Sequence, residues 1–181
     1  MTRRKCSPEE IPMVRMALER KKCLRRKGPL TFSPDSTAAF IHKHYGCEPQ
    51  EVFLAIALNP RSEILHVQEI SLGGFDGTQV DPRVIFGGAL LAGASAIILA
   101  HNHPSGDPIP SRVDLALTKQ LVEGGRILSL RVLDHLVVGR GGAYVSMQAQ
   151  GLMPIAASSL TGLGDEDPIH YGEDERANEH H

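Results

Sequence analysis

Between positions 52 and 58 the chain reads Val-Phe-Leu-Ala-Ile-Ala-Leu with no polar residue, then breaks at Asn59-Pro60-Arg61-Ser62 and resumes over 64–72 with partial alternation. An apolar run this short marks a strand covered on both faces, and the break has turn chemistry, so two strands and a hairpin are expected. Upstream, Ser33-Pro34-Asp35 opens a helix from 34 to about 45, with Ala38, Ala39, Ile41 and His42 on neighbouring turns and Gly46 as the stop. Downstream, Gly73-Gly74 to Gly77 forms a loop, Pro82 opens a small-residue helix to about Gly93, and 95–100 is a buried strand ending at His101. A Pro-rich loop, a helix from Ser111 to about Glu123, a strand over 127–138, a turn over 139–142 and a last strand over 143–147 follow. This order of elements predicts an α/β sandwich.

The ends have a different character. Ser7-Pro8-Glu9-Glu10 has the form of a capping box with proline at the first helical position, and a helix over about 8–26 is expected after it. Residues 1–27 hold ten Lys and Arg against three Glu, whereas 165–181 hold seven acids against one Arg, giving ends of +7 and −6 in a chain of net charge −2. Beyond about Pro154 the hydrophobic period fades into Ser, Gly, Asp and Glu, so the tail is expected to be disordered. The predicted organisation is a basic helix over 1–29, a folded domain over 30–154 and an acidic tail over 155–181. A basic leader can contact nucleic acid, but such a run also suits a solvated helix face.

With 181 residues, 41% of them hydrophobic and 22% charged, the chain is long enough to bury a core without disulfides. Its longest apolar run, 84–100, is interrupted by glycines and a serine and is shorter than the roughly 20 residues that span a bilayer. Arg3, Arg4 and Lys5 lead into Ser7-Pro8-Glu9-Glu10 rather than the apolar stretch of a secretory signal, so a cytoplasmic location is expected. Cys6, Cys23 and Cys47 lie far apart without a CxxC pair, which fits reduced, buried or inert thiols rather than a disulfide frame or thiolate metal site.

The chemistry concentrates in His101-Asn102-His103-Pro104, Ser105 to Pro110, and Ser111-Arg112-Val113-Asp114. Alternate residues at a strand end point the same way, so His101 and His103 can share one metal, and Asp114 in the first turn of the next helix can reach back to it. Two imidazoles and one carboxylate leave a fourth tetrahedral position for water, the composition of a catalytic zinc site. Each residue also has a plainer reading: a histidine at a strand end is ordinary polar surface, and Ser111-x-x-Asp114 is a helix cap. The literal His-Asn-His does not match the HNH nucleases, whose three letters are spread over a larger unit.

The pattern H-x-H-x₇-S-x₂-D resembles the JAMM (MPN-plus, JAB) metalloprotease signature, and AHNHPSGDPIPSRVD resembles its RadC-like branch. The likeness extends through Glu51-Val52-Phe53, Val80-Asp81-Pro82-Arg83 and Leu133 to Gly139, across about residues 30–150; Asp81 stands where the branch has histidine. It implies a JAMM/MPN-like (cytidine-deaminase-like) mixed sheet flanked by helices. It further implies Zn²⁺ held by His101, His103 and Asp114, Ser111 aiding the oxyanion and an upstream glutamate moving protons. By position that glutamate is Glu51, with Glu48 as the competing candidate. The implied reaction is hydrolysis of a peptide or isopeptide amide bond through a zinc-bound water, with a peptide or protein conjugate as partner and a link to DNA repair suggested by the branch name. Asp134 and His135 match the branch and are read as structural, with a hydrogen bond to a zinc ligand as the alternative. Two other readings remain: a non-catalytic, DNA-associated or protein-interaction module using residues 3–27, and a metal-dependent nuclease. Substrate and oligomeric state are not encoded legibly.

Overall fold

A computed structural model describes residues 31–72 and 80–154. The expected helix over 8–26, the tail beyond 154, Cys6 and Cys23 lie outside these residues. Helix α1 (Pro34–Tyr45) is followed by β1 (Val52–Leu58), β2 (Ile64–Leu72), α2 (Pro82–Leu91), β3 (Ala96–Asn102), α3 (Arg112–Ile127), β4 (Arg131–Val138), a 3₁₀ turn at Arg140–Gly142 and β5 (Tyr144–Ser146). The five strands form one sheet in the order β2-β1-β3-β4-β5. β3 and β4 run parallel, with α3 as their crossover, and the other pairs are antiparallel. This is the mixed sheet flanked by helices that the sequence predicts.

Every residue of β1 and β3 is buried. Coverage on both faces is what makes β1 and the 96–100 stretch of β3 continuously apolar, even though they pair antiparallel. On one face Ile41 and Tyr45 of α1 pack on Leu54, Ile56, Ile98, Ala100, Leu136 and Val138. On the other, Ile85, Phe86 and Ala89 of α2 and Leu121 of α3 pack on Phe53, Ala55, Ile97 and Leu99. Ser33 caps α1 and Asp81 caps α2, each side chain accepting from a backbone N–H of the first turn.

Two boundaries depart from expectation. Helix α3 continues a turn past Glu123, through Gly124 and Gly125. These glycines are there for contact rather than termination: an added Cβ would stand 2.9 Å from the Phe86 ring at Gly124 and 2.3 Å from Leu130 O at Gly125. Consequently β4 starts at Arg131 rather than near 127, after a turn in which Ser129 has φ 55°. Cys47 is a free thiol, and exposed rather than buried. Among the described residues no helix is long and apolar enough to cross a membrane.

Candidate metal centre

The site forms where β3 ends and α3 begins. His101 is the penultimate residue of β3, and its ring lies on the α3 side of the sheet, stacked on Phe53 with centroids 5.9 Å apart and 10° between planes. His103 follows just beyond the strand, yet its backbone N–H still donates to Val138 O at 2.9 Å, continuing the ladder with β4. The loop after it is seated on the β4 end, with Gly106 N–H donating to His103 O and Arg140 N–H to Gly106 O. The seat is tight: a Cβ at Gly139 would stand 2.4 Å from Gly106 O, and Gly106 itself has φ +90°.

Asp114 reaches the histidines from the first turn of α3. Its Oδ1 lies 3.5 Å from His101 Nε2, its Oδ2 lies 3.6 Å from His103 Nε2, and the two Nε2 atoms are 3.0 Å apart. One ligand atom from each of the three residues falls within 4.8 Å of the others, an arrangement that could hold a metal ion. Both outer ring nitrogens are engaged elsewhere. His103 Nδ1 donates to Asp107 O at 2.7 Å, and a carbonyl only accepts, so in the neutral ring Nε2 keeps its lone pair facing inward. His101 Nδ1 is 2.8 Å from Nε2 of the fully buried His135.

Ser111 and Asp114 form a reciprocal cap on α3. Ser111 Oγ accepts from Asp114 N–H at 3.2 Å, and Asp114 Oδ2 accepts from Ser111 N–H at 2.6 Å. The cap reading of Asp114 holds, and the same carboxylate that ties down the helix start also faces the two histidines. Burial opposes its charge, but hydrogen bonds from His101 and His103, the charge of His101 and the bond from Ser111 keep the carboxyl well below the usual carboxylate range. His103 is raised above its usual value, chiefly by its hydrogen bond to Asp114, against burial, with help from Asp107 O and the charges of Asp114 and Glu51. His135 is held well below its usual value, first by burial and then by the charge of His101.

Glu51 directly precedes β1, two positions before Phe53, which pairs in register with His101. Its charge acts on His103, whereas that of the exposed Glu48 acts on Tyr45, against the opposite face of the sheet. Asn102, the letter between the histidines, holds Glu51 in place. Its Oδ1 accepts from Val52 N–H at 2.8 Å and its Nδ2 donates to Gln50 O at 3.2 Å, gripping the backbone on both sides of the glutamate. Sequence reasoning gave Asn102 no role, although alternation along a strand puts it opposite the two histidines.

Asp134 is structural as expected, accepting from His135 N–H, Gln148 N–H and Ser146 Oγ. His135 takes the alternative reading, the hydrogen bond to His101. Thr118, one turn after Asp114, was missed altogether: its Oγ1 lies 2.6 Å from both Asp114 O and His135 Nδ1. The available signal was helical spacing, because position i+4 from a ligand shares its face.

Comparison with known proteins gives the same answer as the fold. The family profile described as RadC-like JAB domain matches residues 31–152. A UPF0758 protein of Methanosarcina acetivorans is 38% identical over 121 residues, which are 67% of this chain and 52% of that protein. UPF0758 proteins of Symbiobacterium thermophilum and Bacillus cereus are 48% identical over 103 residues (57% and 44% of the two chains) and 40% over 119 residues (66% and 52%). The matched region thus spans about half the length of these relatives. Since the profile match runs from the bridge at Thr31 past β5 and includes the converging His101, His103 and Asp114, the chain belongs to the RadC-like JAB domain family.

Proposed function

We propose that this chain is a zinc-dependent metallohydrolase of the JAMM type that cleaves a peptide or isopeptide amide bond, with the chemistry in segment 30–154. The observation that carries this reading is the convergence of His101, His103 and Asp114 at the end of β3. Two imidazole nitrogens and one carboxylate suit zinc, whereas magnesium and calcium take oxygen ligands. These three residues would hold the ion, and zinc so bound supplies Lewis acidity and an activated water.

The rest of the reaction falls to the chain's own groups. Glu51, fixed through its backbone by Asn102, takes the proton of the attacking water and returns it to the leaving nitrogen. Ser111 Oγ offers a lone pair to Asp114 N–H, which leaves its own proton to donate to the developing oxyanion. Ile109 and Val113, 67% and 73% exposed on either side of Ser111 in the sequence, offer apolar surface to a substrate backbone.

Elemental analysis of the full chain beside His103→Ala tests the reading. The expected difference is about one zinc per chain, with tail histidines cancelling because both proteins carry them. Glu51→Gln should keep its zinc while hydrolysis of a peptide and isopeptide panel falls about 10²–10⁴-fold. Equal zinc in wild type and His103→Ala overturns the proposal. A second reading, a DNA-associated module, is favoured by the ten Lys and Arg of residues 1–27. DNA binding that falls steeply with salt and survives Asp114→Ala would support it.

A further inference from the structure

A line of buried groups joins one candidate ligand to another by a second route, behind the site. From the backbone of Asp114 it runs through Thr118 Oγ1 (2.6 Å from Asp114 O) to His135 Nδ1 (2.6 Å), and from His135 Nε2 to His101 Nδ1 (2.8 Å). Thr118, His135 and His101 are each 0% exposed, so the line is shielded from solvent along its length. Neither Glu51 nor Ser111 takes part in it.

Such a line carries one proton per link, and its direction matters. The Asp114 carbonyl can only accept. If Thr118 donates to it, Thr118 Oγ1 must accept from His135 Nδ1–H. His135 Nε2 is then a lone pair, accepting from His101 Nδ1–H, and His101 Nε2 presents its own lone pair to the metal site. The other acceptor near Thr118, Met147 Sδ at 3.5 Å, leads to the same order, because donation to sulfur also leaves oxygen to accept from His135. In the reversed order Thr118 donates to His135, and two oxygens face each other at 2.6 Å with no proton between them. His101 Nε2 would then carry a hydrogen pointed where a cation must sit. Only the first order satisfies every contact along the buried line. At its mouth it leaves the Nε2 lone pairs of His101 and His103 facing each other at 3.0 Å, a contact the reversed order fills with a proton and the first order leaves to a cation.

We propose that Thr118 and His135 are positioning residues that place the proton of His101 on Nδ1, and so keep its Nε2 lone pair open for the metal. This inference rests on the metal reading given above. A merely structural role would need these groups to be paired but would be indifferent to the direction of pairing.

Long-range ¹H–¹⁵N correlation spectra of the full chain, stripped of metal, read the direction without any activity assay. The expected result is His101 and His135 both protonated at Nδ1. Thr118→Val, which replaces the hydroxyl by a methyl of similar size, should move both protons to Nε2. It should also weaken zinc binding about 10–100-fold in competition with a chromophoric chelator, and Thr118→Ser should restore both readouts. A His101 proton on Nε2 in the metal-free wild type overturns the proposal, and that measurement needs no variant to fold. So does a Thr118→Val protein with wild-type proton positions and wild-type zinc affinity. A wild-type chain that takes up no zinc, yet shows the expected proton positions, would overturn the metal reading and leave the proton order standing.

Discussion

The two faces of the sheet are built on the same strands and diverge toward one end. On the α1 face the rows are apolar over most of their length, Ala96, Ile98 and Ala100 of β3 and Leu136 and Val138 of β4, and their polar members, Asn102 and Asp134, bond chiefly to backbone N–H and C=O groups. On the α3 face β3 runs Ile97, Leu99 and then His101, β4 runs Val132 and then His135, and α3 returns from Leu121 through Thr118 to Asp114. The polar members of that face, His101, His135, Thr118 and Asp114, meet one another through side-chain contacts. An unpaired buried polar group costs about 1–3 kcal/mol, and this layer is tolerated because its members are paired with one another. One face is held mainly by apolar packing, and the other gathers the residues that could hold a metal ion.

Substitutions that separate stability from metal binding sharpen this contrast. The largest effect belongs to Ile98→Ala on the α1 face, which should cost about 2–5 kcal/mol in urea unfolding while leaving zinc per folded molecule unchanged. A folded Ile98→Ala protein without zinc would show that the faces are not separable. Tyr45→Phe comes next. The Tyr45 phenol donates to Glu69 Oε1 at 2.7 Å, and burial, then this bond and the charges of Glu69 and Glu48, push its ionisation well above the ordinary value. A raised value means that the stabilisation is complete below about pH 10 and is lost as pH rises beyond it. Wild type should therefore lose stability between pH 7 and about pH 11 partly through Tyr45, and Tyr45→Phe should flatten that loss while costing about 1 kcal/mol near neutrality. Smallest in stability is His103→Ala, expected within about 1 kcal/mol of wild type but stripped of its zinc. Thermal melts beside elemental analysis check both halves.

Much of this was legible in the sequence because it lay in local patterns. The continuous run of β1, the Ser33-Pro34 start of α1 and the spacing of His101, His103 and Asp114 each carry their signal within a few residues. The end of α3 is expected near Glu123, whereas the helix runs on through Gly124 and Gly125. Their partners, Phe86 and Leu130 O, come from other elements, so no local window reveals that the glycines give close approach. Asn102 and Thr118 were overlooked for the same reason. Asn102 acts on a segment 50 residues away, and Thr118 has meaning only once His135 is brought alongside it by the parallel pairing of β3 and β4.

The reciprocal bonds between Ser111 and Asp114 bear on how this domain would decay. A descendant that no longer bound a metal would still be held to both residues, because they start the helix that crosses from β3 to β4. His103 has no comparable duty: it lies outside the strand and spends one side-chain bond on a neighbouring loop carbonyl. In such a lineage His103 would be the first letter to drift, because neither the start of α3 nor the pairing of β3 depends on its side chain.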